Sequence, residues 1–343
     1  MRQLSLEVTA GCNLSCAHCY SSSSPRTYSR DTLSEQAMHT LLEEAREHFD
    51  AVSFLGGEPF SVPRTAGLIR RAHALGYEQI VVHSNLYSMS NDAVQAVSDY
   101  RVTVNFSFLG HDEATHDAVT GRPGSFRRAV LNLQRLRAAG VDINANFIDS
   151  AVDDDPDAAG ERYAHVKHAA ADLGIEEIHY DRVRRIGRAS ATGVEASSQL
   201  CGRCGVETLA ISSDGTVFPC SMSRFMPIGS LNDSSIAAIL EGNELRVATD
   251  SIRERVQAFH ADFRPMLCIP VGGGPPDPPG ACMPVGTKPT GPGLPGKKPK
   301  PPGMCAPTFQ PKPPPQPGTP PIINPGKPAP TAPPKPGVTK TPG

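Results

Sequence analysis

Three cysteines near the start of the chain are spaced in a way that could hold an iron-sulfur cluster. Cys12, Cys16 and Cys19 are separated by gaps of three and then two residues. Three thiolates can bind three irons of one [4Fe-4S] cube, whereas clusters that only transfer electrons usually have four. The fourth iron is then an open site, where a small molecule can bind and be reduced.

Zinc and disulfides are the alternatives for these three thiols. Zinc sites usually repeat a two-residue gap and have a fourth ligand nearby, and His18 lies between two of the cysteines, where it would strain a shared tetrahedron. The chain has nine cysteines, an odd number for a disulfide framework, and a reducing cytosol suits thiolates that bind metal. An iron-sulfur cluster is therefore the favoured interpretation.

The cysteine spacing resembles the CxxxCxxC signature of the radical S-adenosylmethionine (SAM) superfamily. The resemblance implies that Cys12, Cys16 and Cys19 bind the cluster and that SAM chelates its open iron through amino and carboxylate groups. One electron then cleaves SAM to methionine and a 5′-deoxyadenosyl radical. Tyr20, the aromatic residue after the last cysteine, is expected to lie against the adenine.

A glycine-rich turn follows the second predicted strand, with the sequence Gly56, Gly57, Glu58, Pro59. Glycines let a backbone approach a ligand closely, although loops also use glycine freely. The turn resembles the GGEP element of the same superfamily, whose backbone and glutamate hold the SAM amino group. We expect Glu58 to project into the mouth of the site.

Polar residues at the ends of later strands are further candidates for cofactor binding. Ser107 resembles the family's ribose-contacting serine, although a serine in a sheet can also be satisfied by the backbone. The other candidates at the mouth are Ser84, Asn85, Asn144, Asn146 and Arg188.

A second group of cysteines lies further along the chain. Cys201, Cys204, Cys220 and Cys268 could supply four thiolates to one further [4Fe-4S] cube, although a CxxC pair can also bind zinc or act in redox chemistry. The spacing of Cys204, Gly215 and Cys220 resembles the auxiliary-cluster extension called SPASM, or its shorter twitch form.

The chain departs from the full SPASM pattern after this point. A complete extension has a later CxxCxxxxxCxxxC group, but here only Cys268, Cys282 and Cys305 follow, widely separated and each followed at the second place by proline. We therefore expect one auxiliary [4Fe-4S] cluster and leave a second one open.

The predicted elements that position these residues alternate regularly between short apolar strands and amphipathic helices. Such alternation indicates parallel strands joined by right-handed crossovers. Six units predict a partial (β/α)6 TIM-like barrel over 1–190, with loops after the strands lining the site. A small α+β auxiliary-cluster module is expected over 191–270, containing a hairpin over 209–218 and a helix over 236–253.

The composition changes sharply after the second module. Of 35 prolines, 28 lie from Pro265 onward, and eight of the nine lysines follow Pro270. Such a segment cannot supply a core, so residues 271–343 are predicted to be a disordered proline-rich tail. The tail carries about +7, which leaves the body slightly acidic and disfavours nucleic acid as a partner.

The resemblance implies an oxidoreductase that modifies a ribosomally made precursor peptide, for example by a thioether or carbon-carbon crosslink. An electron donor such as flavodoxin or ferredoxin is then expected. A radical SAM enzyme acting on a small molecule is the first alternative. A metal-dependent binding protein that works through its proline-rich tail is the second. With no apolar run of membrane-spanning length and no signal segment, we expect a cytoplasmic protein without a membrane partner.

Overall fold

The computed structural model describes residues 2–150, 156–190 and 196–259. All of these belong to the first of the two units into which the chain divides, Met1–Val285 and Gly286–Gly343. The strands in the described part are β1 Gln3–Thr9, β2 Ala51–Gly56, β3 Gln79–Ser84, β4 Thr103–Phe108, β5 Asp142–Asp149, β6 Ile178–Arg182, β7 Thr208–Ile211, β8 Thr216–Phe218 and β9 Gly229–Ser230. The helices are α1 Glu35–Ala45, α2 Arg64–Ala74, α3 Asn91–Asp99, α4 Glu113–Thr120, α5 Ser125–Ala138, α6 Pro156–Asp172, α7 Ile236–Glu241 and α8 Asn243–Phe259.

The nine strands form one sheet in the order β6-β5-β4-β3-β2-β1-β7-β8-β9. The strands from β6 to β7 run parallel, and β7–β8 and β8–β9 are antiparallel pairs. The six parallel strands of the predicted barrel are therefore confirmed. The predicted hairpin over 209–218 is also confirmed, and its first strand pairs with β1.

Apolar and polar side chains alternate along the strand β1. The apolar side chains face the helices and the core, and the polar ones face the inner side of the sheet. On β1, Leu4, Leu6 and Val8 are fully buried in the main hydrophobic core, whereas Glu7 lies between them on the opposite face. Residues that alternate in this way point to opposite faces of a sheet. The inner face of β1 therefore carries the polar side chain of Glu7, opposite the hydrophobic core.

The structure differs from the predicted elements in two places. Helix α4, which was not predicted, stands between β4 and α5. The helix predicted over 236–253 is two helices, because the chain is extended at Gly242, the residue after α7. Helix α1 begins after Ser34, whose hydroxyl accepts a hydrogen bond from the backbone N–H of Ala37.

The predicted tail over 271–343 lies outside the described residues. The boundaries of the predicted domains stay a prediction. Within the described part of the chain, no helix has the length and apolar character needed to cross a bilayer.

Candidate active site

The first three cysteines lie in the loop after β1. Backbone N–H groups of Leu14 and Ser23 donate to the sulfurs of Cys12 and Cys19, at 3.4 and 3.3 Å. Burial is the main cause that raises the pKa of the Cys12 and Cys16 thiols, and nearby acidic groups add to it. Buried thiols of this kind ionise when a cation offsets their charge, and the irons of a cluster supply one.

The backbone N–H groups that donate to Cys12 and Cys19 suit thiolates that bind an iron-sulfur cluster. Across the described residues, no three His, Cys, Asp or Glu side chains converge as ligands of one metal ion. A cube binds each of its thiolates on a different iron, so the cysteines need not converge on one point. We conclude that Cys12, Cys16 and Cys19 can hold the predicted cluster.

Arg188 holds the cysteine loop from the segment after β6. Its guanidinium donates to the carbonyl oxygens of Cys16 and Ser23, at 2.8 and 2.6 Å, and its backbone N–H donates to the carbonyl of Cys19. The structure therefore places Arg188 against the loop itself. Its predicted contact with a cofactor stays a prediction.

Asp31 braces the start of the same loop, a role that the sequence did not suggest. Its carboxylate accepts from the Thr9 hydroxyl and the Ala10 backbone N–H, both at 2.6 Å, and pairs with Arg64 at 2.7 Å. No local motif identifies these contacts, because the partners come from β1 and from α2.

The glycines of the GGEP turn lie directly beneath the cysteine loop. Gly56 has a φ of 131°, in a region that L side chains rarely adopt. A Cβ on Gly57 would overlap the carbonyl oxygen of Gly11, and the Glu58 backbone N–H donates to the same oxygen at 2.9 Å. The two glycines therefore allow close contact between two loops of the site, as well as any approach to a ligand.

Glu58 is buried instead of projecting into an open mouth, with 1% of its surface exposed. Its carboxylate accepts from the backbone N–H of Phe60 at 3.0 Å, the Ser84 hydroxyl at 2.8 Å and the backbone N–H of Asn85 at 2.7 Å. Burial raises the pKa of Glu58 to about 7, against the lowering effect of these hydrogen bonds. Pro59 begins a short 3-10 helix after it. Glu58, Ser84 and Asn85 thus form one connected group.

Ser107 and Asn146 lie side by side on the inner face of the sheet. They are direct partners in the β4–β5 register, and His179 on β6 is the next residue across. The register places His83, Asn105 and Asn144 on the same face. The Asn144 amide donates to Asn105 at 3.2 Å, and Nε2 of His83 is buried with no hydrogen-bond partner among the described residues. Burial lowers the pKa of His83 to about 4, so its imidazole is neutral.

Tyr20 lies near a buried charge pair that the sequence did not identify. Glu7 on β1 pairs with Arg224, which follows β8. Burial raises the pKa of the Tyr20 phenol strongly, and the charges of Glu7 and Arg224 also act on it. Its predicted contact with adenine stays a prediction.

The second cysteine group is brought together only in part. Sγ of Cys204 lies 2.8 Å from Sγ of Cys220. Cys201 lies with Cys204 in the loop before β7, whereas Cys220 follows β8. No disulfide joins any of the six cysteines in the described ranges. Cys268, Cys282 and Cys305 lie outside the described residues.

Comparison with known protein families agrees with both cysteine groups. Residues 6–156 match the radical SAM superfamily model, and residues 201–268 match the SPASM model, described as an iron-sulfur cluster-binding domain. The chain thus contains a radical SAM domain and a SPASM domain. The predicted cofactors, SAM with a [4Fe-4S] cluster and an auxiliary iron-sulfur cluster, are confirmed by these two domains.

Relatives of this radical SAM chain include two kinds of protein. The sporulation killing factor maturation protein SkfB of Bacillus subtilis is 26% identical over 263 residues, covering 68% of this chain and 63% of SkfB. An AdoMet-dependent heme synthase of Methanosarcina barkeri is 28% identical over 146 residues, covering 42% of each chain. The mycofactocin maturase MftC of Mycolicibacterium smegmatis is 35% identical over 141 residues, covering 40% of this chain and 34% of MftC. The chain thus spans less than two thirds of the length of these relatives.

Solved structures agree on the fold. Streptococcus suis SuiB bound to precursor peptide SuiA aligns with a TM-score of 0.58 at 13% identity, covering 73% of this chain and 66% of that one. Native anSMEcpe with bound AdoMet aligns with a TM-score of 0.56 at 12% identity, covering 73% of this chain and 84% of that one. At this identity the likeness shows the fold alone.

Proposed function

We propose that the protein is a radical SAM oxidoreductase that modifies a ribosomally made peptide. The observation that carries the proposal is the length of the match to SkfB. Its 68% share of this chain is too long to fall within the predicted barrel, so it extends into the auxiliary cysteine region. The match to the heme synthase, which covers 42% of the chain, is about as long as the radical SAM domain alone.

The residues of the chain have separate tasks in this proposal. Cys12, Cys16 and Cys19 would hold the first cluster, which would supply one electron for the cleavage of SAM. Arg188 fixes the carbonyls of the cysteine loop so that the three thiols keep their spacing. Asp31 ties the same loop to α2 through Arg64.

The polar inner face of the sheet is the proposed place for the substrate. On β3, β4 and β5 this face carries Ser107, Asn146 and the neutral His83, which are uncharged hydrogen-bonding groups. Ser107 remains the proposed ribose contact, with Asn146 beside it. Cys201, Cys204, Cys220 and Cys268 are proposed to bind the auxiliary cluster, and Gly56, Gly57, Glu58, Pro59, Ser84, Asn85 and Tyr20 to support SAM.

A small molecule is the second candidate substrate, because heme synthases are among the relatives. Anaerobic protein with reconstituted clusters would be incubated with SAM, a reductant and each peptide encoded beside its gene. The proposal predicts 5′-deoxyadenosine together with a peptide that has lost two hydrogens. Deoxyadenosine without a change in any such peptide favours the small-molecule alternative.

Metal analysis separates the two enzyme hypotheses, with a peptide or a small-molecule substrate, from the hypothesis of a metal-dependent binding protein. Two [4Fe-4S] clusters require about eight irons per chain, and one requires about four. Zinc without iron would support the binding protein. Flavodoxin or ferredoxin remains the proposed electron donor, and a cytoplasmic location without nucleic-acid or membrane partners remains part of the proposal.

A further inference from the structure

The side chain of Asn85 is directed at a sulfur of the cysteine loop. Its Nδ2 lies 3.6 Å from Sγ of Cys12, within hydrogen-bond range for sulfur, and 3.0 Å from Oδ1 of Asn13. The backbone N–H of Leu14 donates to the same sulfur at 3.4 Å. Cys12 is 7% exposed, so protein donors surround a sulfur that water barely reaches.

The orientation of the amide is fixed by the group that its oxygen accepts. The backbone N–H of Tyr87 donates to Oδ1 of Asn85 at 2.8 Å. If the amide were flipped, its NH₂ would face the N–H of Tyr87 and its oxygen would face the sulfur. Both contacts would then be repulsive. Nδ2 is therefore the atom that faces Cys12.

The backbone of the same turn is also held in place. The backbone N–H of Asn85 donates to the buried carboxylate of Glu58 at 2.7 Å. The next residue, Leu86, is fully buried and has a φ of 54°, in the left-handed region. A leucine keeps such a conformation only where its surroundings enforce it. The turn thus presents the Asn85 amide rigidly to the sulfur.

We propose that Asn85 is a positioning residue that raises the reduction potential of the cluster at Cys12 by donating its side-chain N–H to the thiolate. The inference rests on the proposed function, because it requires a cluster at this cysteine. When a cluster gains one electron, negative charge on its sulfur ligands increases. A hydrogen bond to sulfur stabilises the reduced form more than the oxidised form, and hydrogen bonds to sulfur are among the factors that set cluster potentials.

The test is an anaerobic redox titration of the reconstituted full-length protein and its Asn85→Leu variant, with dithionite as the electron source. The paramagnetic signal that responds to added SAM identifies the first cluster. Leucine has a similar size and no donor, so we expect the reduced-to-oxidised ratio at a given potential to fall by up to tenfold. For a one-electron couple this corresponds to a midpoint about 59 mV lower.

Two further variants separate this effect from a loss of structure. Asn85→Asp keeps the shape, removes the donor and adds negative charge, so its midpoint should be lower still. Asn105→Leu removes an amide from the inner face without a contact to the cysteine sulfurs, and its midpoint should equal that of the wild type.

An unchanged midpoint in Asn85→Leu at wild-type iron content overturns the proposal. Loss of the cluster in both Asn85 variants also overturns it, since Asn85 would then only hold the loop. If the wild type has a titratable cluster but forms no deoxyadenosine, the proposed function fails, whereas the midpoint comparison still decides the role of Asn85.

Discussion

Replacing Arg224 by methionine should destabilise the protein strongly. Arg224 pairs with Glu7, whose side chain is 3% exposed, while that of Arg224 is 26% exposed. The guanidinium also lies 5.3 Å from the ring centre of Phe218. Methionine fills part of the same space but leaves the Glu7 carboxylate without its counter-charge. Burial already raises the pKa of Glu7, and Arg224 opposes that rise.

The size of the effect follows from the burial of the pair. Removing one partner of a buried ion pair costs about 3–5 kcal/mol of unfolding free energy. In a folded part of this size that corresponds to a melting temperature about 10 °C lower. Replacing both partners by apolar residues, as in Glu7→Leu with Arg224→Met, should recover most of the loss, because no unpaired charge remains.

Anaerobic calorimetry of the reconstituted protein measures these differences. Arg246→Met is the matched control, since Arg246 pairs with Asp250 at 3.9 Å with both side chains largely exposed, 71% and 49%. Such a pair contributes no more than about 0.5 kcal/mol. Equal melting temperatures for Arg224→Met and Arg246→Met would refute the expected cost of the unpaired carboxylate. A double variant no more stable than Arg224→Met would refute it as well.

Three further outcomes are expected. Gly57→Ala should lose iron from the first cluster, because its Cβ meets the Gly11 carbonyl. The control Gly160→Ala, with open space around it on α6, should keep its iron. Iron and sulfide analysis measures both, and equal iron contents would contradict the close contact. Arg188→Ala should lose its cluster to a chelator several-fold faster than the wild type. Arg188→Lys should restore only part of the resistance to the chelator, because lysine cannot reproduce the two-point contact with the carbonyls of Cys16 and Ser23. Equal rates of cluster loss in all three proteins would exclude a stabilising role for this contact. His83 should stay neutral as the pH falls from 7 to 5 and take up a proton only near pH 4, since burial disfavours the imidazolium. NMR of histidine-labelled protein measures this titration, and a midpoint near 6.5 would contradict the expectation.

The sequence predicted the barrel elements because their signals are local. Each strand carries its apolar residues in a short run or at alternate positions, as Leu4, Leu6 and Val8 do on β1. The cysteine spacing and the GGEP turn are local as well. Helix α4 was missed because its eight residues carry little apolar periodicity.

The contacts that complete the site could not be predicted in this way. Arg224 and Glu7 are 217 residues apart, and Arg188 and Cys16 are 172 apart. Each is an ordinary polar residue in its own neighbourhood, so only the folded chain identifies its partner. The prediction that Glu58 projects into the mouth of the site was wrong for a related reason. Its burial depends on the hydrogen-bond donors of Ser84 and Asn85, which come from the end of the next strand.

The position of β1 between β2 and β7 has a consequence for biosynthesis. One neighbour of this strand is made about 50 residues after it, but the other, Thr208–Ile211, is made only after some 200 residues. Contacts between distant parts of a chain form slowly, and unpaired edges are exposed to aggregation until they form. The strand that leads into the cysteine loop therefore keeps an open edge until most of the described fold has left the ribosome, so iron loading before that point would meet an unfinished scaffold.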